Sequence, residues 1–189
     1  GGDGKLNCLQ RTAYGYNRWS QSAMRQWLNS DKGVGEWWTP QNDYDRCPDQ
    51  LTAKAGFLTG FDADFLEVLR PTKVVTALNT ITDATSSNSV DPLETTYDKI
   101  YLPALEQMSI EPQLAGEGTT WDYWKRASNM TTKMKQYQTY PQIRTFAIEN
   151  HTSPQYVRLR SAHRGSSYIT WCVGSSGNVG YINANWAFR

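Results

Sequence analysis

Three cysteines, two histidines and scattered carboxylates are the residues that could carry covalent, acid–base or metal chemistry. Cys8, Cys47 and Cys172 are an odd set without CxxC spacing, so they define neither a disulfide framework nor a zinc half-site. A Cys8–Cys47 bridge is one arrangement; free buried thiols suit a chain made in a reducing cytoplasm better. His151 and His163 have no evident nucleophile beside them. Glu149-Asn150-His151-Thr152-Ser153 sets acid, base and hydroxyl side by side, but triads are assembled in space, not by adjacency, and the run reads as a loop. Asp62, Asp64 and Glu67 cluster where a helix should begin, a placement that complements the helix dipole without any metal. These residues predict no catalytic group, no metal site and no cofactor.

A second chemistry is non-covalent recognition, and its residues lie at the end of the chain. Between His163 and Phe188 there is no Lys, Glu, Gln, Met or Asp, which is unusual for a hairpin that must keep a charged outer face. The polar positions hold Ser, Asn, Tyr, His and Gly, the set that serves adaptable binding surfaces. The pattern there is strand-like. Tyr168 to Val173 alternates, with Ile169, Trp171 and Val173 on one face and Tyr168, Thr170 and Cys172 on the other. Gly174 to Asn178 signals a turn, and Val179 to Phe188 reads as the returning strand.

The rest of the chain must position that hairpin. Its 189 residues suffice for one domain with an ample core, and aromatics reach 13%, with eight Trp and eleven Tyr. The net charge of +1 gives no steering toward nucleic acid or an anionic membrane, and no apolar run approaches a membrane span. Ser20 or Ser22 caps a helix through Asn29, with Ala23, Met24, Trp27 and Leu28 on its core side. Of the adjacent Trp37 and Trp38, one should be core and the other surface. Gly60 to Leu69 predicts a second helix capped by Asp62, with Phe65, Leu66 and Leu69 as its buried side. Strands are expected over Lys73–Thr82, Lys99–Leu102 and Tyr156–Ser161, the last with Tyr156, Arg158 and Arg160 on one side. Asp83–Asp91 and Gln113–Thr120 read as loops, Ala104–Met108 as a helical turn and Trp121–Tyr137 as short helices. The basic-aromatic mix of that last stretch can stack on single-stranded nucleic acid, but near-neutral charge without a compact basic cluster favours a solvated face. Helices first and strands later, with long loops, indicate an α+β fold in one domain spanning residues 1–189.

The stretch RLRSAHRGSSYITWCVGSSGNVG resembles the variable region of proteins diversified by retroelements in phages and bacteria. In that family, adenine-directed mutagenesis rewrites AAC codons inside a fixed frame. Changing either adenine of AAC yields residues such as His, Gly, Ser, Tyr, Ile, Cys, Phe or Asn and never Trp, Met, Lys, Gln or Glu. His163, Gly165, Ser166, Ser167, Tyr168, Ile169, Cys172, Gly174, Gly180, Tyr181, Ile182, Asn183, Asn185 and Phe188 all fit that set. Trp171 and Trp186, which it forbids, fall at frame positions with Arg160, Arg164 and Val173. Upstream, NRWSQSAMRQWLNS, EWWTPQNDYDRCP, GFLTGFDADFLEVL and TYDKIYLPALEQM resemble an uncharacterised domain of gut bacteria and their phages.

The resemblance implies a C-type lectin-like fold, related to the formylglycine-generating enzyme version. Two main helices and small, mostly antiparallel sheets would support a ligand-binding face built from residues 158–189. The variable residues would line that face, with Trp171 and Trp186 pinning it from beneath. The implied function is receptor binding, on a phage tail or bacterial surface, to a protein or glycan of a target cell. It implies no nucleic acid and no membrane, and it permits an oligomer. A fixed-specificity calcium lectin is a competing reading, but the Glu-Pro-Asn, Gln-Pro-Asp and Trp-Asn-Asp runs are absent. An oxidase of the related branch would need a paired-cysteine or metal–thiolate site, and the cysteine spacing offers none.

Overall fold

A computed structural model of the protein describes residues 15–41, 43, 45–88, 90–122, 156–174 and 179–184. Cys8, His151, Asn185, Trp186, Phe188 and most of the predicted helical stretch 121–137 lie outside the described residues. Among the described residues the architecture is α+β: three short α-helices, 3-10 turns, and two small antiparallel sheets.

Helix α1, Ala23–Leu28, starts where expected. The Ser22 hydroxyl accepts the Arg25 N–H at 3.1 Å and donates to the Trp19 carbonyl at 3.0 Å, so one side chain caps the helix and closes the preceding turn. Met24 and Leu28 are buried with Trp19 and Val74, and Trp27 packs at the edge of that cluster. Helix α2, Asp49–Thr52, buries Leu51 completely. Trp37 is core and donates its indole N–H to the Lys54 carbonyl at 2.8 Å, while Trp38 is half-buried. Residues 30–32 run alongside 56–58 so closely that a Cβ on Gly56 would sit 2.2 Å from the Ser30 carbonyl oxygen. Only glycine permits that crossing.

Helix α3 is shorter than its pattern, Ala63–Val68, and follows a 3-10 turn over Phe57–Gly60. Asp62 caps it, its carboxylate accepting the Phe65 N–H at 2.8 Å. The expected buried side is a correction: Phe65 is exposed, Leu66 and Leu69 are only half-buried, and nothing in the helix is core. Periodicity gave it an apolar face, but no described segment folds over that face.

Strands β1, Thr72–Ala77, and β2, Leu93–Asp98, pair in antiparallel register from Thr72↔Asp98 to Ala77↔Leu93. The predicted strand at Lys99–Leu102 is displaced, because the chain leaves the ladder at Asp98. Ile100, Tyr101 and Leu102 instead pack on the Trp19 cluster. Strand β2 escapes the apolar pattern because its inward residues are polar. Buried Asp98 accepts the Trp19 indole N–H at 2.9 Å, the Thr96 hydroxyl at 2.7 Å and the Arg25 guanidinium at 2.6 Å. The Lys73–Thr82 strand also ends early, at Ala77, where Asn79 starts a turn.

The second sheet, in order β3-β4-β5, is built from Val157–Ala162, Ile169–Val173 and Val179–Asn183. Its inner face meets Leu105, Met108 and the 3-10 turn Glu106–Met108, with Leu159 and Val173 as its own contribution to the core. Strand β3 departs from the expected one-sided pattern. Its register is irregular between Arg158 and Ala162, and Leu159, Arg160, Ser161 and Ala162 are all buried, while Tyr156 is exposed.

Candidate functional site: a hairpin held by its carbonyls

The segment from His163 to Tyr168 joins β3 to β4 and projects from the second sheet. It closes on itself through His163 N–H to the Ile169 carbonyl at 3.0 Å and Ser166 N–H to the His163 carbonyl at 3.2 Å. Side chains remote in sequence then hold it. Buried Asn17 donates from Nδ2 to the carbonyls of Ser166 at 2.6 Å, Ile169 at 2.8 Å and His163 at 3.3 Å, and its own N–H reaches the Ser167 carbonyl at 2.9 Å. Thr80 gives both its N–H and its hydroxyl to the Arg164 carbonyl, at 2.8 and 2.9 Å. Four loop carbonyls and that of Ile169, the first residue of β4, are thus anchored from outside the loop, and none of these bonds uses a loop side chain.

The anchors are themselves fixed. Asn79 donates to Asn17 Oδ1 at 3.1 Å and to Asp83 at 2.8 Å, while its own Oδ1 accepts the N–H groups of Ile81 and Thr82. The Tyr16 hydroxyl hydrogen-bonds Asp83. Burial pushes the Tyr16 hydroxyl up to about 12 and raises the Asp83 carboxyl, although Tyr16 and Arg18 pull that carboxyl back.

Arg160 and Arg164, expected as frame residues, both face inward to backbone. Arg160 is 2% exposed. Its guanidinium donates to the Leu102 carbonyl at 2.7 Å, Gln107 Oε1 at 2.6 Å, the Glu117 carbonyl at 2.7 Å and the Val75 carbonyl at 3.1 Å, and it lies 5.5 Å from the Tyr101 ring centre. One side chain thereby ties β3 to β1 and to two loops. Arg164 reaches the Leu78 carbonyl at 3.0 Å. Beside Arg160, the Glu117 carboxylate accepts the Ser161 hydroxyl at 2.6 Å and the Ala77 N–H at 3.1 Å.

Burial raises the Glu117 carboxyl; its hydrogen bonds and Arg160 only partly offset that. The folded chain therefore holds a proton on Glu117 at pH values where the unfolded chain has lost it, and stability from this group falls as pH rises from the ordinary value of 4.5. We expect the urea midpoint of the wild-type chain to fall relative to that of Glu117→Gln as pH rises above the ordinary carboxyl value. Parallel pH profiles would contradict this.

The hairpin register divides the predicted contact residues. Ile169↔Asn183 and Trp171↔Tyr181 are opposite pairs, so these four share one face; Thr170↔Ile182 and Cys172↔Gly180 share the other. The single shared face is therefore corrected: alternation along two paired strands sends Gly180 and Ile182 opposite to Tyr181 and Asn183. Two further contacts are corrected by burial. Cys172 is 2% exposed and Ser167 is 5% exposed, so neither reaches a partner. Gly165 and Tyr181 are exposed, while His163, Ser166, Tyr168, Ile169, Gly174, Ile182 and Asn183 are partly accessible.

Trp171 packs half-buried against the Leu105–Met108 cluster, and it stands on the same face as Tyr181. The His163 ring stacks on it at 5.2 Å, and Tyr181 meets both edge-on, 6.3 Å from Trp171 and 5.7 Å from His163. Tyr181, 62% exposed, is the outer end of this aromatic ledge. Val173 and Leu159 complete that anchorage in the core.

Behind the ledge, Arg158 faces Cys172 across the ladder and donates to the Ala184 carbonyl at 2.8 Å. Burial pulls its guanidinium down to about 10 and pushes the Cys172 thiol up, the state of an inert thiol. Cys47 is a free, half-buried thiol, and Cys8 lies outside the described residues. Among the described residues no three His, Cys, Asp or Glu side chains gather to hold a metal, and no helix is long and apolar enough to cross a membrane.

The anchors Asn17, Asn79 and Glu117 were not predicted. An Asx-turn signal in Leu78-Asn79-Thr80 was available; for Asn17 and Glu117, partners 146 and 44 residues away leave no local trace. No curated protein and no solved structure matches the chain. Its sequence matches one family from residue 6 to residue 187, nearly end to end, and the chain belongs to that family, described as a domain of unknown function, DUF6273.

Proposed function

We propose that this protein is a ligand-binding module whose C-terminal hairpin presents an exchangeable surface. In this reading the fold is C-type lectin-like, residues 158–189 form the recognition region, and a retroelement diversifies it. The module belongs to a phage tail or a bacterial surface and grips a protein or glycan of a target cell. The observation that carries the proposal is the anchoring of the 163–169 loop through carbonyl oxygens. Every residue type supplies a carbonyl, so these anchors do not depend on which side chains the exchangeable positions bear, while the Arg164 side chain, bonded to the Leu78 carbonyl, stays part of the frame. Exposed Gly165 and Tyr181, with Ser166 and Asn183 partly open beside them, then offer contact area that contributes little to folding. Tyr181 and the ledge behind it supply a rigid aromatic anchor.

The DNA around the gene tests diversification. A near-identical template copy carrying AAC where this chain has Gly165, Ser166, Tyr181 and Asn183, beside a reverse transcriptase gene, is the expected finding. A locus with neither would overturn the retroelement part of the reading.

A further inference from the structure

Arg158 is a cation without a counter-charge. Among the described residues its acceptor is the Ala184 carbonyl, 2.8 Å from Nη2, and no carboxylate forms an ion pair with it. The residue as a whole is half-buried, but its Nη1 is closed off from solvent and has no hydrogen-bond partner among the described residues. Arg160, two residues on, shows the contrast: its guanidinium has four acceptors and the Glu117 carboxylate beside it. An unpaired charge is among the costliest groups to enclose, so a folded chain that encloses one calls for an anion.

The sheet fixes where that anion belongs. Arg158 lies on β3 and Ala184 follows β5, with β4 between them, so the guanidinium crosses β4 to reach its acceptor. It crosses on the face that carries Cys172, its partner in the ladder, and Thr170, two residues along. The far end of the crossing is fixed where the Ala184 N–H meets the Tyr168 carbonyl at 2.8 Å, so Thr170 stands between the two ends. The Thr170 hydroxyl is itself buried and unpartnered among the described residues. Cys172 does not supply the missing charge, because burial pushes its thiol up. Opposite Cys172 is Gly180, where an added Cβ would meet only the Cys172 Sγ, at 3.8 Å. The face thus collects N–H, O–H and S–H donors, a positive charge and a gap of about one methyl group.

We propose that Arg158, Thr170 and Cys172 enclose a halide ion, chloride in ordinary solution, behind the hairpin. Water accepts the same hydrogen bonds but leaves the positive charge unbalanced; a halide accepts them and balances it. It also takes donors from any direction and is close to a methyl group in size, which is the space Gly180 leaves. Held there, the ion links β3 and β4 to the residue that follows β5. The site is on the face away from Tyr181 and stands or falls separately from the recognition surface.

The test is melting of the full chain in sodium chloride and in sodium gluconate at equal ionic strength, which removes general screening from the comparison. Chloride should raise the melting temperature saturably, by about 4 °C at tenfold excess over its dissociation constant, while gluconate, too bulky to enter, should not. Gly180→Ala fills the gap at an ordinary contact distance, so it should not lower the melting temperature in gluconate but should weaken the chloride effect at least tenfold in concentration. Arg158→Met should melt independently of chloride; if that variant does not fold, Gly180→Ala decides alone. Equal wild-type curves in the two salts overturn the proposal and leave the donors to water or to the chain itself. A chloride effect that Gly180→Ala or Arg158→Met leaves unchanged overturns it as well, because the ion then binds elsewhere.

Discussion

Replacing Arg160 with methionine is expected to destabilise the protein by about 3–5 kcal/mol, the cost of removing one partner from a buried charged network. Methionine fills much of the same space but donates nothing. The carbonyls of Leu102, Val75 and Glu117 and the Gln107 side chain lose their shared donor, and each stranded acceptor costs about 1–3 kcal/mol, part of which is recovered because a guanidinium no longer has to be desolvated. The Glu117 carboxyl also loses its nearby cation. Arg160→Lys should recover only a fraction, since an ammonium keeps the charge but cannot span four acceptors in a plane. Urea denaturation should show a lower midpoint with an unchanged slope. A loss under about 1 kcal/mol would show that Arg160 does not tie β3 to the rest of the chain.

Replacing Asn17 with alanine is expected to cost about 2–4 kcal/mol and to act first on the loop proposed to carry the recognition surface. The amide supplies three loop carbonyls with donors and gives Asn79 an acceptor. Asn17→Asp should be worse than alanine, because it turns a carboxylate oxygen toward carbonyl oxygens. Hydrogen exchange should accelerate in residues 163–169 more than in helix α1, which Asn17 does not support. Uniform acceleration across the chain would mean that the anchor is global and not specific to the loop.

Much of the outline was legible because it follows from local chemistry. Ser22 and Asp62 cap the helices they were expected to cap, and their side-chain oxygens meet N–H groups three residues on. The β4 alternation, Ile169-Trp171-Val173 against Thr170-Cys172, holds in the ladder because period two is fixed by the pleat. What failed is what distance decides. Strand β2 was missed because Thr96 and Asp98 fill its inward positions and bond Trp19 and Arg25 far upstream. The apolar run after it drew the prediction, since a short hydrophobic segment packs on a core as readily in a loop as in a strand.

The site divides in the same way. A Ser, Asn, Tyr and Gly palette singled out the hairpin, but codon arithmetic says nothing about which way a residue points. Cys172 and Ser167 entered the list by type and left it by burial. The resemblance placed Trp171 beneath the face, and it does pack on the core cluster, but its pairing with Tyr181 also makes it part of the ledge. The inward role of Arg160 and Arg164 was anticipated only as a frame, without the carbonyls that define it.

The claim that recognition and folding are separable here is tested most directly by varying Gly165, Ser166, Tyr181 and Asn183 together and measuring both properties on each variant. Binding to a panel of cell-surface proteins and glycans should change from variant to variant and should follow these residues when they are exchanged between two variants, while melting temperatures stay within about 4 °C of one another, the shift that roughly 1 kcal/mol produces in a chain of this size. Partner choice that ignores the exchange, or melting temperatures that collapse with it, would contradict the account.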